Sequence, residues 1–216
     1  MELVTYALVS LDNTKTFLNV SNNTQDEKIK MLINMATDYI ESQTGRRFTS
    51  TVHTNETFDG TGTRQLNLKS FPLVSFTKLE INNTANNSDS WTTIDSDNYW
   101  VDLETGIVTK TSSFTDFSDT GDEEVLSDTP FQRGKSKYRS TYTSGYSIVP
   151  YDLQFATMTI VGQLMASSAG GGGSIKSESL GDHSVTYQDI TEINGGGNGG
   201  ILEDVLSKYR DIPLVN

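Results

Sequence analysis

The chain has 216 residues with 34% hydrophobic content, enough for one ordinary core with a small appendage. It has no cysteine, which excludes disulfide staples, thiolate metal sites and cysteine nucleophiles, and its two histidines, His53 and His183, are too far apart in sequence to read as a histidine-rich metal centre. A formal net charge of -12 argues against a surface that grips nucleic acid through its phosphates, and the absence of any long apolar run or signal-peptide start predicts a soluble protein made inside a cell, without a membrane partner.

Ser10 is placed to cap a short first helix over residues 10–19, with Phe17 and Leu18 on its apolar side. Thr24, Gln25, Asp26 and Glu27 have the form of a capping box, in which the Thr24 hydroxyl accepts from the Glu27 amide and the Glu27 side chain reaches back. A longer helix, roughly 25 to 44, follows. Ile29, Leu32, Ile33, Ala36, Tyr39 and Ile40 fall on one face and Lys28, Lys30, Asn34, Asp38 and Glu41 on the other, and Gly45 supplies the left-handed stop.

From about residue 48 to 146 the pattern changes to short alternating stretches rich in Thr, Val, Ile and aromatics. Predicted strands run from Val52 to Phe58, Arg64 to Leu68, Phe76 to Ile81, Tyr99 to Asp102, Gly106 to Lys110 and Lys137 to Tyr142, with turns at Asp59-Gly60 and Thr105-Gly106. The stretch from Thr111 to Gly134 is polar and acidic and reads as a solvated loop. After Pro150, residues Leu153, Ala156, Thr157, Ile160, Val161 and Leu164 return to helical spacing and predict a third helix ending near Ser167.

Two glycine runs, Gly170 to Gly173 and Gly195 to Gly200, bracket a segment containing Leu180 and Val185 and predict flexibility. Ile201, Leu202, Val205, Leu206 and Tyr209 form a last amphipathic stretch that is too short to stand alone and needs a packing partner, either its own body or another chain. The expected fold is therefore α+β: a small bundle of three core helices with an inserted antiparallel β region, and a flexible C-terminal arm ending in a short helix. In domain terms, residues 1–169 form the body and residues 170–216 the arm.

The order of these elements resembles the head-tail connector (adaptor) family of tailed bacteriophages. The resemblance is carried by Tyr39 to Phe48, where the helix ends in Thr44, Gly45, Arg46 and an aromatic. It continues through Glu56 to Gly60, Gln65 to Leu68 and Phe71 to Ser75, then Tyr142 to Tyr146 followed by Val149 to Leu153. Its most specific part is Ile175 to Tyr187, with the arm motif Ser177, Glu178, Ser179, Leu180, Gly181 and Asp182.

The resemblance implies a structural virion protein of the neck, assembled in the host cytoplasm. It would form a ring, dodecameric to match the portal, that extends the channel for DNA without sequence-specific binding. Its implied partners are the portal protein, neighbouring copies of itself and a stopper or tail-completion protein. A ring needs two different surfaces in contact, for which the three helices are natural wall elements. The stripe Ile201, Leu202, Val205, Leu206 and Tyr209 is expected to dock on the portal or a neighbour, helix in groove, with coverage of its own core as the competing reading.

Arg46 and Arg47 are candidates for contact with DNA or a neighbouring subunit, and equally for complementing the helix dipole. Asp95, Asp97, Asn98 and Asp102, and Asp116 to Glu124, carry oxygen ligands but miss the calcium-loop pattern, and His183 has no nucleophile elbow near it. No catalytic residue, metal or cofactor is expected. The alternative function is a β-rich carbohydrate- or receptor-binding module, with Trp91, Tyr99 and Trp100 as a stacking platform.

Overall fold

The computed structural model describes residues 2–83, 90–111, 130–169, 178–180, 183–185 and 200–210. They fall into two compact units, one drawn from residues 1–49 and 148–216 and the other from residues 50–147. Residues 112–129 of the predicted acidic loop, and all but Gly200 of the two glycine runs, lie outside the described residues.

The first unit contains helices α1 (Leu11–Phe17), α2 (Asp26–Thr44), α3 (Tyr151–Ala169) and α4 (Ile201–Tyr209). Ser10 caps α1, its Oγ accepting from the Asn13 amide at 3.1 Å. Because this bond satisfies an amide with no helical partner, Ser10→Ala lowers the stability of this unit by about 1 kcal/mol, read from thermal unfolding by far-UV circular dichroism. At the start of α2 the capping box does not form: Gln25 is the N-cap, without a side-chain bond. The Thr24 amide instead donates to Asn22 Oδ1 at 3.2 Å, and an Asx turn takes the place of the cap. Gly45 ends α2 as predicted, at φ 70° in the left-handed region.

The core of this unit joins Ile29, Leu32, Ile33, Ala36 and Ile40 of α2 to Leu153, Ala156, Ile160 and Val161 of α3 and to Leu206 and Tyr209 of α4. The N-terminal segment lies along α2. Asn34 accepts from the Val4 amide at 3.1 Å and donates to the Glu2 carbonyl at 3.0 Å, while Thr37 Oγ1 accepts from the Leu8 amide at 3.3 Å. Asn34, read from spacing as a solvent-facing residue, is thus buried as a backbone clamp.

The second unit is built of β-strands with one short 3-10 helix at Ser96–Asn98. A four-stranded antiparallel sheet has the order β1 (Thr51–Gly60), β7 (Gly134–Ser144), β3 (Leu73–Asn82), β4 (Trp91–Ile94). A three-stranded antiparallel sheet has the order β2 (Gln65–Asn67), β6 (Ile107–Lys110), β5 (Tyr99–Asp102). Phe58, Leu66, Leu68, Leu73, Leu79, Val108, Phe131, Tyr138 and Tyr142 form its own core. Gly106, at φ 69°, turns the chain between β5 and β6, and its carbonyl accepts from the Leu68 amide at 2.9 Å. A short antiparallel hairpin, β8 (Glu178–Leu180) and β9 (His183–Val185), completes the described strands.

The expectation of a small bundle of three core helices with an inserted antiparallel β region is corrected by this architecture. The described residues hold four α-helices, and residues 50–147 form two antiparallel sheets that make a compact unit in its own right. The physical reason is long-range pairing. β7 sits between β1 and β3, with Tyr142 opposite His53 on one side and Phe76 on the other. Strands far apart in sequence therefore close over a common interior. β4, absent from the predicted strands, adds an edge through Thr93 opposite Glu80.

Candidate assembly interface

The C-terminal helix α4 packs on α2 and α3 of its own unit. Leu206 is 2% exposed and Tyr209 6%. The Tyr209 ring meets Phe48 edge-on at 5.5 Å, and its hydroxyl donates to Asp152 in the first turn of α3 at 2.9 Å. Lys208 Nζ reaches the same carboxylate at 2.8 Å. Burial alone pushes the Asp152 carboxyl up, but the bonds from Lys208 and Tyr209 outweigh it and hold this carboxyl below its ordinary value. Leu202 and Val205 are half-buried, and the side chain of Ile201 lies outside the described set.

Arg47 closes a small charged group at the end of α2. Its guanidinium stands 4.2 Å over the Tyr6 ring and its Nε 3.7 Å from Glu41, while the Tyr6 hydroxyl donates to Asp38 at 3.2 Å. Burial pushes the Glu41 carboxyl up, and the Arg47 charge partly offsets this. Arg47 remains exposed and Arg46 is half-buried. Of the arm motif, Glu178, Ser179 and Leu180 form β8, with Leu180 opposite His183, whereas Ser177, Gly181 and Asp182 lie outside the described residues.

Two apolar surfaces of the helical unit were not anticipated. Tyr39, assigned by spacing to the buried face of α2, is 47% exposed, and with Met31 at 40% and Met35 at 52% it forms a stripe on successive turns. On α3, Tyr151 is 81% exposed and Phe155 44%, and Phe155 meets the exposed Phe17 of α1 edge-on at 5.9 Å. The readable signals were the spacing of Met31, Met35 and Tyr39, and the composition of α3, where Asp152 is the single charged residue. A helix apolar on all sides is normally covered on all sides.

In the β unit Trp91 belongs to the four-stranded sheet and Tyr99 and Trp100 to the other. Trp91 lies under Arg139 at 4.4 Å, and Tyr99 packs edge-on against Phe76 at 5.7 Å. Asp95 and Asp102 accept from the amides of Asp97 and Glu104, so both make turns. Among the described residues no three His, Asp or Glu side chains are grouped to hold a metal, and no helix is long and apolar enough to cross a membrane.

Among the described residues, a helical unit with two exposed apolar patches is joined in one chain to a β unit with its own core. The sequence model of the head completion protein family matches residues 7–165, and the chain belongs to that family of bacteriophage head-tail connector proteins. No curated protein sequence matches it. Among solved structures, a chain from the neck of an empty GTA particle computed with C6 symmetry aligns with a TM-score of 0.52 and 12% identity, covering 100% of this chain and 96% of that one. A chain from the neck of a native GTA particle computed with C12 symmetry aligns with a TM-score of 0.51, at the same identity and coverage. At that identity the likeness is one of fold.

Proposed function

We propose that this protein is the head-tail connector subunit of a tailed bacteriophage, forming a ring beneath the portal, extending the DNA channel and presenting a platform to the stopper or tail-completion protein. The observation that carries this reading is the family match over residues 7–165, which takes in helices of one unit and the whole β unit. The neck structures that share the fold were computed with C6 and C12 symmetry, and a closed ring of more than two copies asks each subunit for two different contact surfaces. The helical unit has two apolar faces to offer.

The net charge of -12 suits a channel past which DNA slides without adhering. Two of the displaced titratable groups sit in contacts that hold elements together. Burial, then Glu56, raises the Tyr142 hydroxyl, which donates to Glu56, and Asp152 is bonded to Lys208 and Tyr209. We assign α4 to closing its own subunit through Leu206 and Tyr209, with the portal contact made elsewhere on the chain.

The test is negative-stain imaging of the purified protein with and without the portal of the same phage. Annular particles seated coaxially on the portal are the expected result. Monomers that leave the portal bare at micromolar concentration would overturn the reading.

A further inference from the structure

We infer that one end of the β unit carries a phosphate-binding patch, formed by Lys110, Arg133, Lys135 and Lys137, that makes sequence-independent contacts with the backbone of double-stranded DNA. The choice of DNA as the polyanion rests on the neck reading, whereas the patch itself is read from the β unit alone. The net charge of -12 averages over an uneven distribution. Residues 133–139 hold four cations and no acid, and short runs of this kind are a footprint of nucleic-acid contact.

The fold gathers these cations at one place. β6 ends at Lys110, whose amide donates to the Arg64 carbonyl at 2.9 Å, while Arg64 Nη2 donates to the Lys110 carbonyl at 3.0 Å. Phe131 joins the same edge. Its amide donates to the Thr63 carbonyl at 2.7 Å, and the Lys110 ammonium stands 5.5 Å from the centre of its ring. Gly62, at φ 75°, leaves room for the Arg133 side chain, since a Cβ there would collide with its Nε. Beyond it the ladder bulges. Between the pairs Phe58 with Tyr138 and Gly60 with Gly134, β1 contributes Asp59 alone and β7 contributes Lys135, Ser136 and Lys137. Ser136 takes φ 46°, and its amide donates to Asp59 Oδ1 at 2.7 Å, which ties that carboxylate to the bulge backbone.

Two observations call for an anion from outside. Among the described residues the ion pairs use other cations, and Lys110, Arg133, Lys135 and Lys137 enter none. Burial pushes the Lys110 ammonium down from its ordinary value, with no carboxylate acting against it. Arg133 and Lys135 are exposed. A ridge of long cations on a bulge suits a repeating rod of charge better than a single enclosed anion. Contacts of this kind displace counterions from phosphates and let DNA slide.

The test titrates the purified full chain into fluorescently labelled duplex DNA of arbitrary sequence, read by anisotropy. Binding at about 50 mM salt should be independent of sequence and weaken about a hundredfold by about 200 mM, as roughly four phosphate contacts require. Arg133→Gln with Lys135→Gln should weaken binding about tenfold and lower the salt slope by about two, with thermal unfolding unchanged. Lys28→Gln with Lys30→Gln, the same change of charge placed on α2, should leave the slope as it is. No binding by the wild-type chain at about 100 µM, the weak end of non-specific affinities, or equal losses from both pairs, would overturn the proposal. Two further results would overturn the choice of DNA. Lower thermal stability of the Arg133 and Lys135 pair, with DNA binding untouched, would make the acidic residues between Asp116 and Asp128 the counter-charge. Salt-dependent self-association abolished by that pair, again with DNA binding untouched, would make it an acidic face of a second copy. Failure of DNA binding leaves the ring reading standing, because annular particles on the portal are a separate measurement.

Discussion

Arg139→Met destabilises the β unit by about 3–5 kcal/mol, the range for removing one partner of a buried ion pair. Glu80 of β3 is 5% exposed and stands opposite Arg139 of β7 in the sheet register. It accepts from Arg139 Nε at 2.7 Å and Nη2 at 3.1 Å, a two-pronged bond, and Lys78 Nζ approaches at 2.9 Å. Without the guanidinium, a buried carboxylate is left with one half-exposed lysine. The Arg139 bond is also the main reason that the Glu80 carboxyl lies below its ordinary value, against a burial effect of opposite sign.

A carboxyl depressed in the folded state stabilises above its unfolded value and ceases to do so as pH falls through the folded one. The wild-type pair therefore weakens only as pH falls below the ordinary glutamate range, whereas in Arg139→Met protonation of Glu80 relieves the penalty. The stability gap should narrow on acidification. Both tryptophans, Trp91 and Trp100, lie in the β unit, so urea unfolding followed by tryptophan fluorescence at neutral and acidic pH isolates this effect. A gap that is constant with pH would contradict the role given to Glu80.

Leu206→Ala costs the helical unit about 2–5 kcal/mol by loss of burial and creation of a cavity. Leu206 is 2% exposed among α2, α3 and α4, and Tyr209 one turn on is fixed through Phe48 and Asp152. Far-UV circular dichroism at 222 nm, dominated by the helices, reads the change. Val205→Ala, at a half-buried neighbouring position, should cost much less. Equal and negligible effects for the two would mean that α4 does not close its own subunit.

Local chemistry was readable where it acts over a few residues. Ser10 as a cap, Gly45 as a stop and the strand Tyr99–Asp102 all appear where the pattern placed them. What escaped depended on distant partners. The order β1-β7-β3-β4 pairs Thr51 with Ser144, and no local periodicity contains that information. Asn34 looked like a solvent residue because its partners, Glu2 and Val4, are backbone atoms of another segment. Tyr39 looked like core because helical spacing places a residue near an apolar arc without saying how wide the covered arc is. Its exposure became informative only beside Met31 and Met35.

The central claim, that the protein is a neck component, is tested most directly by locating it in the particle. With a gold-binding tag on the chain, particles assembled from the genome that carries it are imaged intact. The account predicts label confined to the junction of head and tail. Label spread over the head lattice, gathered at the tail tip, or missing from particles that are nonetheless complete would contradict it.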